Sequence, residues 1–248
     1  MNPIETFQKE VAENIIELGK DKDVQALSRV WSRETNQYRY TYNFSWLGRP
    51  IIQYPQDMVA MQEIIWEVKP DLIIETGIAH GGSLIFSAAM LELVAACGGG
   101  EGEVFGIDID IRPHNRKAIE EHPMYKRISM IQGSSTAPDV IAQAVEKAKG
   151  KKRVLVILDS NHTHDHVRAE LEAYALLASV GSYCVVMDTV IEDMPEGFFP
   201  DRPWGKGNNP KTAVWEYLKT NMKFEIDKAI QNKLLITVAP DGYLKRVR

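Results

Sequence analysis

The sequence predicts a doubly wound, Rossmann-like α/β fold on a mostly parallel seven-stranded sheet with an antiparallel last strand. Short runs rich in Val, Ile and Leu alternate with helical patterns along the 248-residue chain. Strands that helices cover on both faces have such near-continuous apolar runs. A glycine-containing turn follows the first run, and polar residues end each of the first five runs. Both features are expected at the ligand-binding edge of a parallel sheet.

The predicted elements follow in chain order. Residues 1–45 are predicted to form a helical extension that begins with a helix over Asn2–Leu18, and residues 46–248 to form one domain. Parallel strands are predicted at Asp71–Thr76, Glu103–Asp108, Arg127–Gln132, Arg153–Asp159 and Ser182–Asp188. Helices are predicted at Asp57–Val68, Ser83–Ala96, Pro138–Lys149 and Asp165–Ala178. The last two apolar runs, Lys223–Asp227 and Lys233–Val238, are joined by a link too short for a crossover helix, which predicts an antiparallel hairpin.

Composition excludes several classes of protein. The formal net charge is −5, and no cluster of Lys and Arg stands out, so nucleic acid is not expected as a partner. Cys97 and Cys184 lie in apolar stretches without a C-x-x-C motif, which is typical of buried thiols in a reducing compartment. No run of about 18 apolar residues and no basic leader occurs. We therefore expect a cytoplasmic protein without a membrane span.

The stretch Ile73–Ser83 reads as strand, glycine turn and helix start. Such a turn aims backbone N–H groups and a helix N-terminus at a ligand, and its glycines let the backbone approach closely. The spacing from Gly77 to Gly81 and Gly82 is neither that of pyrophosphate-binding loops nor that of a Walker loop. It favours an adenosyl cofactor that carries no phosphates.

Four polar residues near this turn are candidate cofactor ligands, together with Gly77, Gly81 and Ser83 of the turn itself. Asp108 ends the next strand, where a carboxylate accepts both ribose hydroxyls in dinucleotide folds; Asp110 is its alternative. Glu75 can accept hydrogen bonds from the turn or from a ligand ammonium. Ser134 follows the third strand, where it either contacts the adenosyl group or caps the following turn.

Asp159 and Asp188 end adjacent predicted strands, so their carboxylates should converge. Two such charges repel each other unless a cation or a shared proton lies between them, and a hard divalent ion resolves this. The alternative is one carboxylate paired with Lys or Arg and one in solvent. His162 lies three residues beyond Asp159 and suits a general base, since imidazole titrates near neutral pH. His164 is the reserve base; a zinc site in the run His162 to His166 is disfavoured, because alternating histidines point in different directions.

Two further stretches are rich in aromatic residues. The segment 192–211 is long, irregular and rich in Pro and Gly, and it carries Phe198, Phe199 and Trp204. Such a loop after a ligand-bearing strand favours a lid over the substrate, with an oligomer contact as the alternative. The stretch 44–57 has a similar character and is expected to close the other side of the cofactor pocket.

Taken together, these motifs resemble the cephalosporin hydroxylase family, also known as rhamnosyl O-methyltransferases, within the class I S-adenosylmethionine-dependent methyltransferases. The resemblance covers the chain from about Trp46 to the C-terminus and rests on an ordered set of motifs: WLGRPI from Trp46, QYPQD from Gln53, ETGIAHGGS from Glu75, GIDID from Gly106, LDSNH from Leu158, NNP from Asn208 and NKLLIT from Asn232.

The resemblance implies S-adenosylmethionine bound by the glycine turn and Asp108, and Mg²⁺ bound by Asp159 and Asp188. It also implies a catalytic base three residues beyond the first metal aspartate, which is His162 here. Family members can carry an acidic residue just before the second metal aspartate. This sequence has Met187 there, so Thr189 or water is expected to complete the metal site.

We therefore expect a metal-assisted O-methyltransferase whose acceptor is a small molecule or glycan, with a rhamnosyl-type sugar as first choice. The alternatives are a tailoring protein of the cephalosporin hydroxylase type, which acts on a β-lactam or another antibiotic, and a non-catalytic cofactor-binding subunit. An oxygenase is disfavoured because two aspartates suit Mg²⁺ better than Fe²⁺. The N-terminal helix and the loop aromatics suggest a homo-oligomer.

Overall fold

The computed structural model describes residues 2–248 and contains a two-stranded hairpin and a seven-stranded sheet. The strands are β1 (Phe44–Trp46), β2 (Arg49–Ile51), β3 (Leu72–Thr76), β4 (Glu103–Asp108), β5 (Ile128–Gln132), β6 (Val154–Leu158), β7 (Tyr183–Val186), β8 (Phe224–Ile226) and β9 (Tyr243–Arg246). The α-helices are α1 (Pro3–Lys20), α2 (Lys22–Asn36), α3 (Pro55–Val68), α4 (Gly82–Ala96), α5 (Pro113–Glu120), α6 (Pro138–Ala148), α7 (His164–Tyr174), α8 (Pro210–Thr220) and α9 (Lys228–Leu234).

The large sheet has the order β5-β4-β3-β6-β7-β9-β8. The first five strands in this order are parallel, and β9 lies antiparallel between β7 and β8. The predicted fold class, a doubly wound sheet with an antiparallel last strand, is confirmed. Because the chain adds β4 and β5 on one side of β3 and then β6 and β7 on the other, the strand order reverses between β3 and β6, and the carboxyl ends of these two strands form the crevice in which ligands bind in such folds.

Alternate residues of the central strands enter two apolar cores. Ile73 packs with α3 and α4 on one face, whereas Leu72 and Ile74 pack with α6, α7 and α8 on the other. Helix α4 is apolar on most of its surface and buried over most of its length, because the β1–β2 hairpin and α3 cover the side that faces away from the sheet. The glycine turn therefore leads into the centre of the molecule.

One predicted strand is wrong. Lys233–Val238 ends α9 and continues as coil, and the strand that pairs with β8 is Tyr243–Arg246. Helix α9 is only seven residues long, and it occupies the short link between the two predicted strands together with the start of the second. The helix predicted over Asn2–Leu18 is confirmed as α1, whereas the division of the chain at residue 45 stays a prediction. Among the described helices, none has both the length and the apolar character needed to cross a bilayer.

Candidate active site

The glycine turn joins β3 to α4 through backbone geometry that side chains would prevent. Gly77 has a φ of +89°, and a Cβ atom there would lie 2.0 Å from the carbonyl oxygen of Asp159. Gly82 approaches Pro50 as closely: a Cβ atom at Gly82 would lie 2.1 Å from the carbonyl oxygen of Pro50. The turn therefore packs directly against the β6 end on one side and the β1–β2 hairpin on the other.

Arg49 and Asn115 brace this turn, and neither was predicted as a site residue. The Arg49 guanidinium donates to the carbonyl of His80 at 2.5 and 3.0 Å and to the Asn115 side chain at 3.1 Å. Asn115, itself buried, donates to the carbonyl of Ala79 at 2.9 Å. Arg49 lies in one of the motifs on which the family resemblance rests, but its contact with a turn 31 residues later could not be predicted from the sequence.

Asp108 lies at the end of β4 and faces the turn. One carboxylate oxygen accepts from the backbone N–H groups of Ile78 at 2.7 Å and Ala79 at 3.2 Å, and the other accepts from the N–H of Asp110 at 2.9 Å. Asp110 is exposed and lies 3.7 Å from Arg112. Of the two predicted ribose ligands, only Asp108 is held against the glycine turn.

Glu75 is a buried carboxylate, and only one of its two oxygens has a hydrogen-bond partner among the described residues. One oxygen accepts a hydrogen bond from the hydroxyl of Ser83, and the other has no hydrogen-bond partner among residues 2–248. Burial raises the pKa of Glu75 to about 7, and the hydrogen bond from Ser83 partly offsets this rise. A buried oxygen without a partner costs free energy, and a cationic ligand group would satisfy it.

Ser134 lies after β5, as predicted, and its hydroxyl is 3.0 Å from that of Thr136. This contact is local, and Ser134 stays a predicted cofactor ligand. Gly81 occupies a left-handed conformation, with φ of +81°, at the N-cap of α4. A Cβ atom at Gly81 would lie 2.4 Å from the Ile119 side chain, so the turn is also closed against α5.

Asp159, His162 and Asp188 converge at the ends of β6 and β7. One ligand atom from each lies within 4.8 Å of the other two. His162 Nε2 lies 3.1 Å from Asp188 Oδ2. Burial first, and then the charges of Asp188 and Glu75, raises the pKa of Asp159 well above its usual range. Carboxylate and imidazole groups so arranged suit a divalent cation, which would relieve this repulsion.

Two neighbours of Asp188 do not join this group. Thr189 is fully buried, and its hydroxyl donates to the carbonyl of Pro240 at 2.6 Å. The Thr189 hydroxyl is thus engaged by Pro240, and its role in completing the metal site stays a prediction; the third side chain beside the two aspartates is His162. Met187 is buried in the apolar core beside α3 and α4. Asp188 itself adopts a left-handed backbone, with φ of +55°, which turns the chain into a 3₁₀ helix over Thr189–Asp193.

The other two histidines of the run point elsewhere. His164 begins α7, and its ring lies 2.8 Å from the Thr212 hydroxyl and 3.1 Å from the Glu216 carboxylate. His164 therefore lies outside the group around Asp159, and its role as reserve base stays a prediction. His166 contacts Ser135 and Ser160 behind the site. Within residues 2–248, the histidines do not form a cluster of their own with metal-binding geometry.

Two cavities meet at this group of residues. One, of about 190 Å³, is lined by the glycine turn, the hairpin and the β6 end; the other, of about 390 Å³, is lined by the segments around Asn36–Tyr42 and Phe198–Trp204. His162 and Asp188 line both cavities. A donor in the first cavity and an acceptor in the second would therefore meet at these two side chains.

The segment 192–211 forms one wall of the larger cavity. The Trp204 ring stands edge-on to the His162 ring, with centroids 4.8 Å apart. The Glu192 carboxylate fixes the segment by accepting from the Gly207 N–H at 2.8 Å and from the Asn209 side chain at 2.5 Å. The predicted aromatic segment therefore reaches the site with a tryptophan beside the candidate base.

Asp57 lies beneath the same cavity and was missed by the sequence analysis. It is fully buried and accepts hydrogen bonds from the Thr237 and Tyr243 hydroxyls and from the Val238 N–H. Burial raises its pKa to about 6. Because Val238 lines the larger cavity, Asp57 holds part of that wall in place.

Comparison with known proteins gives consistent results. Residues 38–247 match the family model described as Rhamnosyl O-methyltransferase/CmcI. A protein named Rhamnosyl O-methyltransferase from Mycobacterium tuberculosis (strain ATCC 25618 / H37Rv) is 31% identical over 198 residues, which cover 77% of this chain and 73% of the relative. Its namesake from Mycobacterium leprae (strain TN) is 30% identical over 205 residues, 82% of each chain. A solved structure of CmcI with Mg and SAM superimposes with a TM-score of 0.57 at 19% identity, covering 84% of this chain and 78% of that one.

Proposed function

Because the chain belongs to the rhamnosyl O-methyltransferase/CmcI family, we propose that it methylates a hydroxyl group of a glycosylated acceptor, with S-adenosylmethionine as donor and Mg²⁺ assisting. The family predicted from the sequence motifs is confirmed, and the family is one of O-methyltransferases. The observation that supports the assigned site is the meeting of two cavities at His162 and Asp188.

The smaller cavity suits the cofactor. The unpaired oxygen of Glu75 would accept from the ammonium of the methionine part, a group that carries the required charge. Gly77, Gly81 and Ser83 would line the methionine and sulfonium region, and Asp108 would accept from the ribose hydroxyls. Ser134 would lie toward the adenine, with Asp110 at the exposed rim.

The reaction would take place where the two cavities meet, at His162 and Asp188. When bound, S-adenosylmethionine supplies the methyl group, and Mg²⁺ held by Asp159 and Asp188 lowers the pKa of the acceptor hydroxyl. The imidazole ring of His162 would take the hydroxyl proton while the new carbon–oxygen bond forms and the carbon–sulfur bond breaks. Asp188, which lies 3.1 Å from Nε2 of this ring, would stabilise the imidazolium. The products are the methyl ether and S-adenosylhomocysteine.

The larger cavity suits a sugar. Tyr42, Phe198, Phe199 and Trp204 give it aromatic walls, on which the C–H faces of a pyranose pack, while its hydroxyls face polar groups. The relatives named Rhamnosyl O-methyltransferase make a rhamnosyl acceptor the first choice.

We also propose a cytoplasmic homo-oligomer. Ile4, Phe7 and Val11 form an exposed apolar stripe on α1, with exposures of 65%, 64% and 37%. Such a stripe favours association with another copy. Light scattering after gel filtration tests the proposal, and a monomeric mass at micromolar concentration would contradict it.

Calorimetric titration of S-adenosylmethionine, with and without Mg²⁺, followed by a panel of methyl rhamnosides, tests the proposed function. We expect cofactor binding, sugar binding that needs Mg²⁺, and methylated sugar in the mixture by mass spectrometry. Failure to bind the cofactor would refute the methyltransferase assignment. Cofactor binding without transfer to any glycoside would refute the acceptor class only.

A further inference from the structure

A partly buried polar cluster lies directly behind the candidate site and has no part in the mechanism above. His166 Nε2 lies 3.0 Å from the Ser135 hydroxyl and 3.1 Å from the Ser160 hydroxyl. The Ser160 hydroxyl also donates to the Glu170 carboxylate at 2.7 Å. One ring nitrogen thus contacts hydroxyls from two different loops.

The two loops belong to opposite parts of the site. Ser135 follows β5 and is next to Ser134, on the side proposed to bind the adenosyl group. Ser160 follows β6 and is next to Asp159, a proposed metal ligand. Strands β5 and β6 are separated in the sheet by β3 and β4, so no backbone ladder joins their ends directly. In the described chain, His166 at the start of α7 supplies a side-chain link between them.

Glu170, one turn further along α7, makes this cluster more than a surface network. It is fully buried, and one of its oxygens has no hydrogen-bond partner among residues 2–248. A buried carboxylate left partly unpaired is costly for folding alone, which favours a role in the site above it.

We propose that His166 and Glu170 are positioning residues that couple cofactor binding to metal binding. A ligand that fixes the loop at Ser135 fixes His166, which orders Ser160 and the adjacent Asp159. The metal then binds a carboxylate that is already ordered, so each of the two ligands raises the affinity of the protein for the other. This inference rests on the proposed function, since it needs both ligands to bind.

The test is a binding cycle on the full-length protein. The dissociation constant of Mg²⁺ is measured by calorimetry with and without S-adenosylhomocysteine, whose lack of a sulfonium charge removes direct repulsion of the metal. For the wild type we expect Mg²⁺ to bind about five-fold or more tightly with the second ligand present, the lower end of common coupling factors. In His166→Ala and Ser135→Ala we expect this ratio to fall below about two-fold.

Glu172→Gln is the matched control for Glu170→Gln, because both lie on α7 but Glu172 is exposed and pairs with Arg168. We expect the coupling ratio to fall in Glu170→Gln and to keep its wild-type value in Glu172→Gln. Ser135→Ala removes one hydroxyl, so it serves if His166→Ala fails to fold.

The outcomes separate the two proposals. A wild-type protein that binds neither ligand refutes the proposed function. A wild-type protein that binds both ligands without coupling, or whose coupling survives in His166→Ala and Ser135→Ala, overturns the inference and leaves the proposed function intact. Loss of thermal stability with an unchanged coupling ratio also overturns it, because a purely structural cluster would behave in that way.

Discussion

Replacing Glu75 by glutamine removes a charge that the folded chain keeps out of water. The carboxylate is 1% exposed, and burial raises its pKa from 4.5 to about 7. An acid whose pKa is raised by folding binds its proton more tightly in the folded state. Its contribution to stability is therefore fully present below the unfolded pKa and is lost as the pH rises to the folded pKa.

The magnitude follows from the shift. Between about pH 5.5 and pH 8, the free energy of unfolding of the wild type should fall by about 2 kcal/mol through Glu75. Glu75→Gln cannot ionise, so its stability should lack this decline. Asp57, whose pKa is also raised by burial, is present in both proteins and cancels in the comparison. Asp159, whose pKa the Glu75 charge helps to raise, ionises more easily in the variant, which changes the comparison in the same direction. The variant should therefore gain stability relative to the wild type as the pH rises.

Urea unfolding of both proteins at the two pH values measures this difference, and Ser83→Ala controls for loss of the hydrogen bond alone. Calorimetry with S-adenosylhomocysteine gives the second readout: if Glu75 accepts from the ligand ammonium, Glu75→Gln should weaken binding by about ten-fold or more, the loss of one charge-assisted hydrogen bond. Parallel pH profiles for wild type and variant would refute the reasoning that burial dominates the pKa of Glu75.

Three further predictions concern the rest of the site. His162→Ala should reduce turnover by about 10²- to 10⁴-fold and leave cofactor affinity unchanged; equal turnover in a methyl-transfer assay would exclude the base. Gly77→Ala should lower the free energy of unfolding, measured in urea, by at least about 2 kcal/mol, because the added Cβ meets the Asp159 backbone. Gly98→Ala is the control: it has no neighbour within 4 Å, so it should cost only the strain of its positive φ. Equal losses of stability in the two variants would contradict the close approach at Gly77. Trp204→Ala should raise the acceptor KM about ten-fold at constant cofactor affinity, and an unchanged KM would separate Trp204 from the acceptor.

The sheet was predictable because its central strands are buried on both faces. Strands such as Leu72–Thr76 and Val154–Leu158 are buried at every residue and begin with three or more apolar residues in a row, and their order along the chain fixes which ends bear ligands. The last strand was placed wrongly for the opposite reason. Tyr243–Arg246 ends in Lys245 and Arg246, whereas the more apolar run before it is coil, so position in the sheet outweighed local pattern.

The site was predictable to the extent that it consists of strand ends. Asp159, His162 and Asp188 were identified because they follow β6 and β7, and the structure brings them together. The orientation of Thr189 was not readable, since it depends on the left-handed backbone at Asp188 and on a contact with Pro240. Braces such as Arg49 depend on contacts between distant segments, which periodicity does not reveal.

The walls of the larger cavity come from outside the loops that hold the glycine turn. Residues 36–42 precede the hairpin, and residues 198–204 lie between β7 and α8. A change of acceptor can therefore accumulate in two short stretches while the donor side is inherited intact. This separation makes the scaffold suited to diversification: a library randomised in these stretches, but not at Tyr42, which lines both cavities, would vary which molecule is methylated and preserve the methyl-transfer machinery itself.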